Sequence, residues 1–438
     1  MRHRIIALLA LISVILLMAN GCSLTDIRKT EPAATTTAGT QVDVGSDLMS
    51  GISAEPYTVS GQPPDTEVSD DISRFAADLL IRSSSNKENV MVSPASVFLA
   101  LSMTLNGARG ETEAAMLKVL ADQGLTTDQI NTAARDWLHL LEKTDGKTSI
   151  SIANSIWFRN GFSPSLSFLQ HNATYYGAGA RQLDFADAAA KDTINNWVKE
   201  NTQGLIEAIV DQINPTTVMY LINTLYFKAD WETPFLQHET RQRPFQAPNQ
   251  TVTVDFMHRT DMVSYFNDDQ VSGIVLPYDD TNFAYFAMLL PEGTDPSAWL
   301  AGQDASVLFK QINTWISASE PTHMTLALPR YKVSYDDSLN NELESMGMAV
   351  AFGGQADFSG LREDGNSGLY ISEVRHKTVI NVDEKGTEAA AATSVAIDES
   401  AAWSELEMIF DRPFIYGIMD LQTGLPLFAG ILKNPAGQ

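Results

Sequence analysis

The chain has 438 residues, of which 44% are hydrophobic and 19% are charged, so it can bury a large core and is neither disordered throughout nor collagen-like. Its 54 acidic residues outnumber the 29 basic ones and give a formal net charge of -25, which argues against binding to nucleic acid or anionic lipid. The one cysteine, Cys22, excludes an intrachain disulfide and any cysteine-based zinc or iron–sulfur site.

Residues 1–21 have the pattern of an export signal, in which early arginines precede an uncharged apolar run over residues 5–18. That run is shorter than the roughly 20 residues of an ordinary membrane-spanning helix. It ends at Ala19-Asn20-Gly21-Cys22, which resembles the box of bacterial lipoproteins in which the cysteine is lipidated. We therefore expect an exported protein, lipid-anchored through Cys22 at the bacterial cell envelope or surface. The alternative is a plain secretory signal with an incidental cysteine.

Residues 22–68 are predicted to form the lipidated start and a flexible tether. The segment is rich in Thr, Ala, Gly, Pro and Ser and lacks a sustained hydrophobic period, so it cannot form a core of its own. The folded domain is expected to span residues 69–438, beginning near Ser69.

Helices are predicted mainly in the first half of that domain. Asp70 or Asp71 can cap a helix with apolar residues at helical spacing, and Ser93 with Pro94 begins another after a short strand at 90–92. Two more amphipathic helices are predicted, at 111–120 and 192–200.

Strands are predicted mainly in the second half. Residues 218–227 are nearly all apolar, which is typical of a central strand covered on both faces. The other predicted strands are 283–290, 325–333, 370–382, 406–410 and a pair over 414–431 that turns at 422–424. Because helices cluster early and strands late, an α+β fold is favoured over alternating α/β units.

His376 lies on the apolar face of the predicted strand 370–382, where even-numbered positions alternate with the charged odd ones. The simplest interpretation is a buried, hydrogen-bonded structural histidine, and a ligand or general base is the alternative. The seven histidines are scattered, and no zinc-protease, nucleophile-elbow, Walker or dinucleotide-binding motif occurs. No catalytic residue, metal site or cofactor is therefore predicted.

Residues 383–403 join the predicted strand 370–382 to the terminal strands. About twenty residues with no clear structure of their own are unusual in a compact domain and are usually functional. A short alanine-rich helix and a surface linker are two interpretations. The third is a segment able to enter a sheet as an extra strand, since 387–397 has no Pro or Gly after Gly386 and has small side chains at the odd positions.

This segment resembles the hinge of inhibitory serpins. The resemblance rests on these residues: Glu384, Gly386, Thr387, Glu388, Ala389, Ala390, Ala391, Ala392 and Thr393. It extends in order over nearly everything from Ser69 to Pro435, through similar segments at 89–96, 106–112, 196–204, 221–231, 369–377 and 410–414.

The resemblance implies a serpin fold of three β-sheets and eight or nine helices with an exposed reactive-centre loop. It also implies a suicide-substrate inhibitor of serine proteases, which is consumed in one turnover and is therefore not an enzyme. After cleavage the loop would insert into the main sheet and trap the acyl-enzyme. The alternatives are a non-inhibitory serpin acting as a surface binding protein or chaperone and, from another class, a surface hydrolase or adhesin.

Residue by residue, the resemblance also implies two clusters. The shutter, a polar cluster beneath the opening sheet, is formed by Ser93, Ser96, Asn223 and His376. The breach, at the top of that sheet, is formed by Trp231, Arg330 and Glu384, with an ion pair expected to be possible between the last two.

Counting forward from Gly386 by the family spacing places the cleaved bond between Ser400 and Ala401. Counting back from the carboxyl-terminal signature places it between Ala402 and Trp403. We favour the bond between Ser400 and Ala401, with the bond between Ala401 and Ala402 as a neighbouring candidate. The residue before either bond is small, which implies elastase-like or subtilisin-like serine proteases as partners. The net negative charge favours a basic protease through electrostatic steering. We expect a monomer without a cofactor, in contact with membrane only through Cys22.

Overall fold

The computed structural model describes residues 45–57, 63–85, 89–122, 124–144, 148–214, 216–387 and 406–437. The predicted signal, Cys22 and the first part of the tether lie outside the described residues. Within these ranges, no helix has both the length and the apolar character needed to cross a bilayer.

Nine α-helices form in the described residues. They are α1 (Thr66–Ser83), α2 (Pro94–Leu105), α3 (Gly110–Leu120), α4 (Thr127–Leu141), α5 (Leu166–Tyr176), α6 (Ala189–Asn201), α7 (Pro296–Ala301), α8 (Leu308–Ser317) and α9 (Asn340–Leu343). Short 3-10 or π-helical turns occupy Gln237–Glu239, Glu344–Met348, Ala349–Phe352 and Ser359–Leu361. α2 begins as predicted, because the Ser93 hydroxyl accepts a hydrogen bond from the Ser96 N–H and Pro94 occupies the first turn.

The predicted cap at Asp70 or Asp71 is wrong, since α1 already begins at Thr66. Asp71 is buried, and its carboxylate accepts a hydrogen bond from the Asp122 N–H at 3.2 Å. The side chain therefore faces the interior of the protein instead of the start of the helix.

Sixteen strands form in the described residues. They are β1 (Ser46–Asp47), β2 (Val90–Val92), β3 (Ser149–Arg159), β4 (Gly179–Leu183), β5 (Met219–Asp230), β6 (Arg241–Ala247), β7 (Gln250–Asn267), β8 (Ser272–Pro277), β9 (Phe283–Leu289), β10 (Glu320–Pro329), β11 (Tyr331–Ser338), β12 (Arg375–Val382), β13 (Gly386–Thr387), β14 (Leu406–Ile409), β15 (Phe414–Asp420) and β16 (Leu425–Leu432).

The strands form two sheets. One has seven strands in the order β1-β4-β3-β5-β13-β12-β11, and the other has nine in the order β14-β10-β7-β8-β9-β15-β16-β2, with β6 added on β7. Three sheets were expected. The described residues form two because the 18-residue β7 pairs in turn with β6, β10 and β8 and so joins two strand groups.

Two predicted strands differ from the structure. The prediction at 325–333 is divided at Arg330, because β10 belongs to the nine-stranded sheet and β11 to the seven-stranded one. The segment predicted as a strand at 370–382 forms one only from Arg375 onward. Before it, the Ile371 N–H donates to the backbone oxygen of Ala351 and the Val374 N–H donates to Oδ1 of Asn340, so neither is available for sheet pairing. Within β12 the predicted alternation is confirmed, and the even-numbered side chains are the buried ones.

Part of the predicted tether lies against the folded body. β1 pairs with the edge strand β4. The Tyr57 ring stacks on His139 with 4.2 Å between ring centroids, and its hydroxyl donates to the Asp136 carboxylate at 2.6 Å. Residues 45–57 therefore form an arm that contacts β4 and α4.

Candidate functional site

The hinge enters the seven-stranded sheet as β13. Thr387 pairs with Val382 of β12 on one side and with Ala229 of β5 on the other, and Gly386 pairs with Asp230. Among the described residues β13 is the one strand between β5 and β12, and it spans only two residues at their upper ends. In the part of the hinge that the structure describes, pairing with β5 and β12 thus involves Gly386 and Thr387, while β5 and β12 themselves extend further.

Both residues of β13 are suited to this narrow position. A Cβ atom at Gly386 would overlap the backbone oxygen of Ala229, so glycine is required for the strand to approach β5. The Thr387 side chain is buried at 3% exposure, and its hydroxyl lies 2.6 Å from the Tyr278 hydroxyl. Thr387 thus points into the protein, as the odd-position parity requires.

Trp231 of the breach holds the backbone that leads into the hinge. Its indole N–H donates to the backbone oxygen of Asp383 at 2.9 Å, and its backbone N–H donates to the backbone oxygen of Lys385 at 2.6 Å. The indole is buried and stacks on the Tyr278 ring, with 4.7 Å between centroids and 10° between planes. The hinge therefore enters the sheet over a rigid aromatic pair.

Arg330 and Glu384 also meet at the breach. An Arg330 guanidinium nitrogen lies 3.7 Å from a Glu384 carboxylate oxygen, and another lies closer, at 2.6 Å, to the Asp255 carboxylate. The same Glu384 oxygen accepts a hydrogen bond of 2.7 Å from the Thr240 hydroxyl. Since Glu384 is buried and Arg330 is half exposed, Thr240 provides the shorter and better shielded contact.

The four shutter residues lie together in one hydrogen-bonded chain. The Ser93 N–H donates to Nε2 of His376 at 3.0 Å, and the Ser93 hydroxyl accepts from the Ser96 N–H. The Ser96 hydroxyl donates to Oδ1 of Asn223, whose amide donates to Oδ1 of Asn154 at 2.7 Å. The chain thus joins β12, α2, β5 and β3 beneath the point where the sheet would open.

His376 is a buried neutral base. Burial lowers its pKa to about 4, while the Asp336 carboxylate raises that pKa slightly. Because Nε2 accepts the Ser93 N–H, the neutral ring carries its proton on Nδ1. The structure therefore places His376 in the structural role, with no described nucleophile bonded to it.

Three contacts of this site were not predicted. Asn154 extends the shutter, Thr240 donates to Glu384, and Tyr278 contacts Thr387 from 109 positions away in the chain. Tyr278 follows the strand β8, but no local sequence pattern connects it with the hinge. In the described ranges, no group of three His, Cys, Asp or Glu side chains could hold a metal ion.

The remaining predicted site residues lie outside the described residues. They are Glu388, Ala389, Ala390, Ala391, Ala392 and Thr393 of the hinge and Ser400, Ala401, Ala402 and Trp403 of the candidate bonds. The description resumes at Leu406, where β14 pairs in parallel with β10.

A model of the Serpin (serine protease inhibitor) family matches residues 70–435, which include the shutter, the breach and the hinge. The chain belongs to the serpin family. Its fold is accordingly the serpin fold. A native-state crystal structure of tengpin, a thermophilic serpin, is 36% identical, superposes with a TM-score of 0.81 and covers 89% of this chain and 99% of the other.

Two curated relatives also match most of this chain. An uncharacterised serpin-like protein of Thermococcus kodakarensis is 33% identical over 431 residues, which cover 97% of this chain and 98% of the relative. The leukocyte elastase inhibitor of Bos taurus is 30% identical over 373 residues, which cover 83% and 98%. This serpin is therefore similar, over 83% of its own length and 98% of the relative's, to a protein named as an elastase inhibitor.

Proposed function

We propose that this serpin inhibits serine proteases as a suicide substrate. The protease serine would attack the carbonyl carbon of Ser400, the bond to Ala401 would break, and the amine of Ala401 would leave with a proton. The ester formed joins protease and inhibitor. Insertion of the freed loop between β5 and β12 would then distort the protease before water hydrolyses the ester.

One observation carries this proposal, namely that the first two hinge residues already form a strand between β5 and β12. The next residues, 388–393, are small apart from Glu388 and contain no proline. An added strand requires free N–H groups and side chains that fit without a prepared cavity, and this sequence meets both conditions.

The target class follows from the loop sequence. Small residues precede both candidate bonds, and no Lys or Arg occurs between Lys385 and Arg412. Elastase-like or subtilisin-like proteases accept such residues, whereas trypsin-like proteases require a basic one. The similarity to a leukocyte elastase inhibitor supports the same class.

The deciding experiment mixes the exported chain with elastase-like and subtilisin-like proteases and analyses the products on denaturing gels. A covalent complex that resists boiling is expected. Cleavage of the loop without any complex would contradict the proposal and favour the non-inhibitory alternative. Mass spectrometry of the released fragment identifies the bond, since the fragment begins at Ala401 if Ser400 precedes it and at Trp403 if Ala402 does.

We further propose that the chain is exported and lipid-anchored through Cys22. The support is sequence alone: a charged start, an apolar run and a small residue before the cysteine. The full-length chain should partition into the detergent phase of Triton X-114, and Cys22→Ala should move it to the aqueous phase. Equal partitioning of the two would rule out the lipid.

A further inference from the structure

A cavity of about 510 Å³ lies at the end of the seven-stranded sheet opposite β13, between the start of β5 and the segment 368–375 that leads into β12. Residues 218–222 form one wall, and residues of α2 also line the space. Ile222 is the wall residue of β5 nearest to the hinge, and it is seven positions from Ala229, which pairs with Thr387. At about 3.3 Å per residue, the cavity is roughly 23 Å from the described part of the hinge.

The cavity is left open because the residues before β12 are bonded elsewhere. The Ile371 N–H donates to the backbone oxygen of Ala351 at 2.9 Å, and the Val374 N–H donates to Oδ1 of Asn340 at 2.8 Å. In the described ranges, β5 and β12 pair with β13 and not with each other. The start of β5 therefore lies beside an open space on the side that faces β12.

The walls of this cavity are mainly apolar. Leu101 and Leu361 belong to the buried core, and six further apolar side chains are half-buried. These six are Val218, Met219, Leu221, Leu369, Ile371 and Val374. Sites for small organic ligands usually have apolar walls and a volume of about 300–1,000 Å³. The cavity is therefore large enough for a small molecule with an apolar body.

The opening of the cavity carries an excess of negative charge. The charged side chains that line it are Asp211, Glu373 and Arg375. Arg375 lies 2.7 Å from Asp336, which also pairs with Lys377 at 3.2 Å, whereas Asp211 and Glu373 have only longer contacts with Arg375, at 3.5 and 3.7 Å. Three carboxylates thus share two cations. The Asp211 side chain is 75% exposed and that of Glu373 is 47% exposed, so both carboxylates are accessible from solvent.

An aromatic ring lies at the same opening. Tyr370 is 56% exposed and lines the cavity between Leu369 and Ile371 in the chain. The face of an aromatic ring attracts ammonium groups, and quaternary ammonium ligands are commonly recognised in this way. A cation at the opening would therefore meet two carboxylates and an aromatic ring.

We propose that this cavity binds a cationic amphiphile, that is, a molecule with an apolar body and an amine or quaternary ammonium group. The apolar body would lie between Leu221 and Ile371, and the ammonium group would lie at the opening beside Asp211 and Glu373. A fatty acid of the same length would bring its carboxylate toward like charges, and a neutral molecule would gain nothing from the charged opening. Charge complementarity thus selects the cationic occupant.

A bound amphiphile would also regulate inhibition, and this second step rests on the proposed inhibitory function. Continuing the antiparallel register of Thr387 along both neighbouring strands would place Val395 opposite Leu221 and Val374 after insertion. Both of these residues line the cavity. An occupant would therefore block the last part of loop insertion, so the ester would be hydrolysed and cleaved inhibitor would leave an active protease.

The first test measures binding to the full-length protein by calorimetry. Decyltrimethylammonium is the probe, and decanoate is the anionic comparison of the same chain length, both below their micelle concentrations. We expect saturable binding of the cationic probe and a rise in the thermal midpoint, because a ligand of the folded state stabilises that state. Decanoate should bind at least about tenfold more weakly. Equal affinities, or a fall in the thermal midpoint such as non-specific surfactant binding produces, would overturn the proposal.

The double variant Asp211→Asn/Glu373→Gln removes both carboxylates at the opening. It should bind decyltrimethylammonium about fivefold more weakly without losing affinity for decanoate. The matched control Asp269→Asn/Glu320→Gln makes the same change in net charge on exposed residues that do not line the cavity, and it should keep the parent affinity. Glu373→Gln alone leaves Asp211 beside Arg375, guards against a folding defect and should show a smaller loss. Unchanged affinity in the double variant would overturn the site.

The second test titrates the inhibitor against an elastase-like protease with and without saturating decyltrimethylammonium, at a concentration that leaves the protease itself fully active. We expect the probe to raise the inhibition stoichiometry severalfold in the parent protein and less in the double variant. An unchanged stoichiometry at saturation would overturn the competition with the loop. Absence of a covalent complex without any probe would overturn the inhibitory function, while the calorimetric comparison of parent and double variant still decides the binding site.

Discussion

The hydroxyl oxygens of Tyr278 and Thr387 lie 2.6 Å apart in the interior of the protein, and this contact attaches the hinge to the layer beneath the sheet. Both side chains are buried, and burial raises the pKa of the Tyr278 hydroxyl well above its usual range, so it stays protonated and able to donate. Thr387, the first inserting residue of this serpin, therefore has a small side chain and also makes a specific polar contact in the native state.

Removing this contact should destabilise the hinge by a modest and measurable amount. Tyr278→Phe keeps the stack on Trp231 but leaves the Thr387 hydroxyl without that partner, at a cost of about 1–2 kcal/mol. Thr387→Val removes the other hydroxyl. We expect the double variant to lose less stability than the sum of the two single losses, with a coupling of about 1 kcal/mol in urea unfolding. Strict additivity would show that the two hydroxyls do not interact.

Thr387→Arg should convert the inhibitor into a substrate. The Thr387 side chain is already buried at 3% exposure between β5 and β12, so an arginine there would either bury an unpaired charge, at a cost of several kcal/mol, or hold the start of the hinge out of the sheet. The loop would then enter too slowly to trap the acyl-enzyme. Titration against an elastase-like protease should show an inhibition stoichiometry several times higher, with cleaved inhibitor as the main product.

Glu388→Arg is the matched control for that variant. Alternation along a strand places position 388 on the face opposite Thr387, toward solvent once the loop is inserted. A charge there should leave the stoichiometry near that of the parent protein. If both variants lost inhibition equally, the assigned parity of the inserting loop would be wrong.

The sequence predicted some parts of this site better than others, for physical reasons. The alternation of apolar and charged residues along β12 was enough to predict that His376 is buried, because strand periodicity is a local property of the sequence. The contact between Tyr278 and Thr387 was beyond local reasoning, since 109 positions separate the two residues and many hydroxyls in the chain could have paired. The arm at 45–57 was missed because its pairing with β4 involves only Ser46 and Asp47, and its core-packed side chains Leu48, Met49 and Ile52 are too few to show a sustained hydrophobic period.

Thr240→Val should cost more stability than Arg330→Ala, although only the latter removes an ion pair with Glu384. The Arg330 side chain is 42% exposed, so solvent screens its pairs and each contributes below about 1 kcal/mol. The Thr240 hydroxyl instead donates to a carboxylate that is 9% exposed. Its loss should cost about 1–2 kcal/mol in urea unfolding. A larger loss of stability for Arg330→Ala than for Thr240→Val would show that the ion pair, and not the Thr240 hydrogen bond, stabilises the breach.

Acid should weaken the shutter through His376. Its ordinary pKa is 6.5 and burial lowers it to about 4 in the folded protein. An unfolded chain thus takes up a proton below about pH 6.5, while the folded protein does so only near pH 4. Stability from this group is fully present above pH 6.5 and is lost as the pH falls toward 4, by up to about 3 kcal/mol.

His376→Asn separates this contribution from the many carboxylates that also titrate in acid. The asparagine oxygen can accept the Ser93 N–H but does not titrate, so the variant should lose less stability than the parent between pH 7 and pH 4.5. Thermal midpoints of both proteins across that range measure the difference. Because a protonated His376 cannot accept at Nε2, acid would break the bond between β12 and α2 at the point where the sheet opens. If the thermal midpoints of the two proteins fell in parallel with pH, His376 would not be a source of acid sensitivity.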